Sequence, residues 1–143
     1  MNQADLRRLT DERIKDAHAL LAGGRWEFAY YCAGYAIECA LKSSLLARMI
    51  HTGWVFEEKW RAEECMTHEP FRLVKLAGLE DEFNDRLKAS SLSGDQFIAH
   101  WSVVKEWKVT SRYEAKTEAE ARSLLEAITN SPDGVLPWIQ KYW

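Results

Sequence analysis

At 143 residues, with 47% hydrophobic and 29% charged residues, the chain is long enough for a single globular domain with its own core. A net charge of −3 and a pI near 5.8 exclude a broadly basic surface, and with it tight non-specific binding to nucleic acid. No apolar run approaches the roughly 20 residues of a membrane helix, and residues Met1 to Arg8 lack the apolar core of a signal peptide, so a cytoplasmic protein with no membrane association is expected.

The first predicted helix runs from about Asp5 to Ala22. Leu6, Ile14, Ala17 and Leu21 repeat at helical spacing, with Leu9 and Leu20 beside them, and Gly23-Gly24 stops it. The second runs from about Trp26 to His51 and ends at Gly53. It is apolar almost all the way round, which predicts that other helices surround it. Ala29, Ala33, Gly34, Ala36 and Ala40 are small enough to let those neighbours approach. Glu38 and Lys42 lie one turn apart on this helix. Such a pair supports a helix, but inside a core it costs desolvation and requires partners. Both are therefore expected to be largely buried and polar-bonded.

Trp54 to Met66, rich in Glu and Trp, reads as a short helix or an ordered loop. Thr67 reads as the N-cap of a short third helix with Pro70 in its first turn and its end at Gly78. Glu80 to Ser90 suits another helix. Ser93 or Asp95 caps the next, which reaches about Trp107. Val109 to Tyr113 reads as an extended or irregular connection. Thr117 and Glu120 form a capping box before the apolar stripe of Ala121, Leu124, Leu125 and Ile128. Asn130 to Gly134 is a turn, and Val135 to Trp143 is a short terminal helix. No strand pair is predicted, so the class is all-α.

The three cysteines have no regular spacing and make no disulfide framework. Cys32 and Cys39 share a helix face and read as buried free thiols. Seven tryptophans are many for this length. They serve core and interface packing or, in the sharper reading, a base-stacking platform. His18, His51, His68 and His100 are scattered, with no paired spacing of a metal site, and no phosphate loop or dinucleotide fingerprint occurs. No metal and no cofactor is expected.

The stretch Tyr30-Tyr31-Cys32-Ala33-Gly34-Tyr35-Ala36-Ile37-Glu38-Cys39-Ala40-Leu41-Lys42 resembles the second helix of HEPN domains. The likeness continues at Thr67-His68-Glu69-Pro70-Phe71 with Leu73 and Leu76, at Ser111-Arg112-Tyr113, and at Gly134 to Ile139. It implies an antiparallel four-helix-bundle-like HEPN fold over residues 1–143, with additional short helices. It also implies an RNA-directed protein of a toxin–antitoxin or defence-type module, cutting without metal. Relatives that cleave RNA carry an arginine followed by a histidine after four to six residues. Arginine holds the scissile phosphate with forked donors, and histidine moves a proton at the 2′-hydroxyl. In the family that site forms at a homodimer interface, and a nucleotidyltransferase-like partner is often encoded beside it.

Here Arg112 occupies the arginine position, but no histidine follows it. The resemblance therefore implies Arg112, His68 and Glu38 as catalytic candidates, with Arg61, Lys42 and Tyr113 as substrate-binding residues. Arg61 and His68 fit the bare spacing at the start of the third helix; Arg13 and His18 fit it within the first. Each has a structural alternative. His68 can bond a neighbouring carboxylate, and Arg112 can pair with Glu38 to lock the connection to the bundle. A second functional reading stays open: a non-catalytic HEPN module that binds a nucleotide or a partner protein. A third is a structural helical subunit of a larger complex.

Overall fold

A computed structural model of the chain describes residues 1–53 and 62–143. The described residues form helices and connections, with no strand among them. The elements are α1 (Gln3–Ala22), α2 (Trp26–Thr52), α3 (Ala62–Cys65), α4 (Pro70–Leu76), α5 (Glu80–Ser93) and α6 (Phe97–Val104). A 3₁₀ helix (Val109–Tyr113), α7 (Glu118–Thr129) and α8 (Val135–Ile139) follow. Among the described residues no helix is long and apolar enough to cross a membrane.

α2 is the axis of the fold. It packs against α1, α4, the 3₁₀ helix, α7 and α8, as an all-round apolar helix must. Ala33, Ala36, Ile37, Ala40 and Leu41 are completely buried. α1 runs back along it, because Gly23 and Gly24 close the turn and Gly24 takes the left-handed φ of 73° that a side chain would resist. α1 begins two residues earlier than predicted, because Asn2 and Asp5 form a capping box there. α2 ends at Gly53, whose N–H donates to the Met49 carbonyl.

Gly34 decides how close the second half comes to α2. A Cβ at Gly34 would lie 2.1 Å from Cδ1 of Trp107, so the indole rests directly on the bare helix backbone. Trp107 is 1% exposed and anchors the connection from α6 to the 3₁₀ helix.

The second half is organised by aromatic rings. Phe83 of α5 meets Trp101 of α6 at 4.7 Å and Trp138 of α8 at 5.6 Å, and Phe97 meets Trp138 at 5.8 Å, all edge to face. Each such pair contributes about 0.5–1.5 kcal/mol beyond its buried area. Trp101, Trp107 and Trp138 are thus core residues, and the packing reading accounts for them.

Local polar chemistry sets several boundaries differently from the sequence reading. α4 begins at Pro70 with Glu69 at the cap position, and the Thr67 hydroxyl instead accepts the Glu69 N–H at 3.2 Å. Asp95 accepts the Phe97 N–H at 3.0 Å and the Ser90 hydroxyl at 2.6 Å, joining α5 to α6. α6 stops at Val104 rather than near Trp107, and α8 at Ile139 rather than at Trp143. Val109–Tyr113 is a 3₁₀ helix, not an extended connection, with the Ser111 hydroxyl accepting the Lys108 N–H at 3.2 Å. The Thr117–Glu120 capping box of α7 forms as predicted.

Candidate functional site

Between Ala29 and Leu45 one stripe of α2 stays partly open, at Tyr31, Tyr35 and Lys42, while the other residues are buried. Phe28, Tyr31, Tyr35, Glu38 and Lys42 follow one another at steps of three and four, so they share a face. The rings form a ladder. Phe28 and Tyr31 lie 5.9 Å apart at 18°, and Tyr31 and Tyr35 lie 6.1 Å apart at 5°. Phe28, at one end, is 53% exposed.

At the other end the ladder gives way to Glu38, only 3% exposed. Its carboxylate is fully engaged. Lys42 Nζ donates to Oε1 at 2.7 Å, and His68 Nδ1 lies 2.9 Å from both Oε1 and Oε2. An ionised carboxylate only accepts, so Nδ1 is the protonated nitrogen of the imidazole. In the neutral ring that leaves Nε2 with its lone pair free to take a proton. The His68 side chain is 44% exposed, so the carboxylate is hidden while the ring it orients reaches solvent. His68 is placed by the approach to α4, where Pro70 and Leu73 pack inward.

Burial pushes the Cys39 thiol up to about 11, with the Glu38 charge as a second cause, and burial likewise raises the Tyr35 hydroxyl. Neither is poised as a nucleophile. All three cysteines are free, with Cys32 and Cys39 buried.

Arg112 lies elsewhere, near the start of α2. It is exposed on the 3₁₀ helix, with its guanidinium 4.8 Å from the ring centre of Tyr113, itself 77% exposed. It borders a cavity of about 280 Å³ with Arg25, Glu27 and Phe28. Ten residues separate Phe28 from Glu38, about 15 Å along the helix. The structure thus brings Glu38, Lys42 and His68 together and puts Arg112 and Tyr113 at the far end of the aromatic ladder. Arg112 does not lock onto Glu38, whose oxygens are held by Lys42 and His68. Arg61 lies outside the described residues. Arg13 pairs with Asp16 at 2.9 Å, while His18 borders a different cavity with Arg122 and Glu126.

Two features were not singled out from the sequence. The ladder could have been found, because Phe28, Tyr31 and Tyr35 stand at heptad-like spacing ahead of Glu38. The second is a cavity of about 510 Å³ beside His68, between the start of α4 and the connection after α6. Its walls come from segments some forty residues apart, and no local pattern joins them. Among the described residues no group of three or more His, Cys, Asp and Glu side chains is placed to hold a metal ion.

Compared with protein-family models, curated proteins and solved structures, the chain matches none.

Proposed function

We propose that this chain is an RNA-directed protein of HEPN type, a metal-independent endoribonuclease of a toxin–antitoxin or defence-type module. The observation that carries the reading is the Glu38–His68 contact. A buried carboxylate holds Nδ1 of an exposed imidazole and leaves Nε2 to accept the proton of an attacking 2′-hydroxyl. Lys42, 23% exposed beside it, supplies a positive charge at the same end.

Arg112 supplies the phosphate contact by its forked donors. Within one chain it stands at the opposite end of the ladder from His68. A homodimer paired about a twofold axis near Tyr31 and Tyr35 exchanges the two ends, so that the partner's Arg112 approaches His68. The exposed rings of Phe28 and Tyr113 at that end support such a pairing. A nucleotidyltransferase-like protein fits as the neutralising partner of such a module.

The test is incubation with defined RNAs in EDTA, followed by analysis of product ends. A 2′,3′-cyclic phosphate is expected, with cleavage lost in both Arg112→Ala and His68→Ala while both variants fold. Undiminished cleavage in Arg112→Ala would sink the assignment. The separation of Arg112 from His68 within one chain favours a second reading. In it the module is non-catalytic, binds a nucleotide or a partner protein, and keeps the Glu38–His68–Lys42 cluster as scaffold. Intact RNA under all conditions is the outcome that reading expects.

A further inference from the structure

The cavity beside His68 pairs two lysines with apolar walls, and at about 510 Å³ it is roomier than the cavity of about 280 Å³ that holds Arg25 and Arg112. Lys105 and Lys108 line it, and neither is engaged in an ion pair among the described residues. Phe71, Pro70 and Val109 give it apolar walls, and His68 stands at its edge. Among the described residues the one acid on its wall is Glu69. A neighbouring cavity of about 650 Å³ around Tyr30 shares Lys108 with it but is otherwise lined by Glu106, Glu114 and Glu120, with Lys116 already bonded to Glu114 at 3.1 Å. Its acids outnumber its lysines, so an anion is favoured on the Lys105 side of Lys108. The cavity near Arg72 and Lys75 is balanced by Glu80 and Asp81.

A site with uncommitted cations at one side and an apolar wall at the other selects a flat ligand that carries negative charge. A volume of about 510 Å³ lies within the usual span of small-ligand pockets. We infer that this cavity is a subsite for one nucleoside phosphate unit, its base against Phe71, Pro70 and Val109 and its phosphate at Lys105 and Lys108. The inference rests on the proposed RNA-directed reading for its biological setting, and on the cavity alone for its chemistry. The unit comes from one of two sources, an unstacked nucleotide within single-stranded RNA or a free mononucleotide. Base contact with apolar side chains requires the base to leave its stack, so a duplex does not enter.

The experiment measures binding by calorimetry at low salt, using AMP, GMP, CMP and UMP, adenosine, and a single-stranded octanucleotide with 2′-deoxy sugars that cannot be cut. The proteins are the parent chain and Lys105→Glu/Lys108→Glu. Both lysines are exposed, so the double variant should melt with the parent. Saturable binding of the monophosphates or of the octamer is expected, weaker by at least about tenfold in the double variant, about 1.4 kcal/mol. Adenosine should bind more weakly than AMP. Binding of the octamer alone assigns the site to RNA; binding of the monophosphates as well assigns it to free nucleotides too. Equal affinity in the double variant overturns the inference, and so does the absence of saturable binding by any of these ligands.

The two readings fail separately. RNA cleaved by the parent and by the double variant at the same rate, without base preference, removes the subsite and leaves the ribonuclease standing. Monophosphate binding that depends on the two lysines, without any cleavage, keeps the subsite and removes the ribonuclease.

Discussion

Glu38 is the residue on which the site turns, and its partners differ from it in one respect: they reach water. Removing Glu38 abolishes a buried charge and frees Lys42 and His68 to hydrate, so Glu38→Ala should destabilise by only about 1–2 kcal/mol. The Lys42→Met/His68→Ala double variant leaves the carboxylate, 3% exposed in the parent, with neither partner. It should cost more, about 3–5 kcal/mol. Chemical denaturation of the two variants tests the order; a larger loss in Glu38→Ala would mean that the cluster is held by something other than burial of its acid. Gly34 gives a second residue-scale expectation. Alanine is favoured over glycine in a helix by about 1 kcal/mol. At Gly34, however, the new Cβ would meet the Trp107 ring at 2.1 Å, and that ring is buried. Overpacking of about 1–3 kcal/mol or more should win, so Gly34→Ala melts below the parent. The Glu38–Lys42 pair was legible in the sequence because both residues sit on one helix. The His68 bond that completes it spans thirty residues, and no local spacing foretells a contact at that range.

Among the elements, the legible ones carry their signals within a turn of the chain. The capping box of α7 is read from Thr117 and Glu120 alone, and the extent of α2 from its apolar run and the glycine after it. The elements misread are those whose ends are set by other segments. α6 is short because Trp107 must turn back onto Gly34, and the 3₁₀ helix exists because Lys108 and Ser111 close on each other beneath α2. The α5–α6 corner shows how one side chain joins two elements. Asp95 accepts from Ser90 and from the Phe97 backbone, and it pairs with Arg86 at 2.9 Å. These hydrogen bonds, that of Ser90 first, hold its carboxyl well below the usual carboxylate range. A carboxyl depressed by folding contributes stability that is present above its unfolded pKa near 4 and disappears as the pH falls toward its folded value. The parent chain should therefore lose stability progressively below about pH 4. Asp95→Asn should start lower and show a shallower acid slope. Parallel slopes in denaturation from pH 6 to pH 2 would assign the acid sensitivity to other carboxylates.

At the scale of the whole molecule the central fact is separation: Arg112 borders the Phe28 end of a three-ring ladder, and His68 is bonded to Glu38 beyond its other end. Within one chain, Arg112 and His68 would have to reach one phosphate from opposite ends of the ladder. Twofold pairing removes the difficulty, because an isologous contact sets each end of the face against the other end of its mate. Two measurements follow. Sedimentation should show a dimer at micromolar concentration, and Phe28→Glu, which places a charge on the exposed end of the ladder, should weaken it. The decisive one is complementation. Arg112→Ala and His68→Ala chains are each expected to be inactive alone. Mixed in equal amounts and allowed to exchange, about half of the dimers are heterodimers. Each heterodimer assembles one site from the intact Arg112 of one chain and the intact His68 of the other, and one site that lacks both. Activity should therefore return to about a quarter of the parent level. If the two residues acted within one chain, every site in the mixture would lack one of them and nothing would return. A silent mixture that sediments as a dimer would reject the shared site and leave Arg112 without a part in the chemistry at His68.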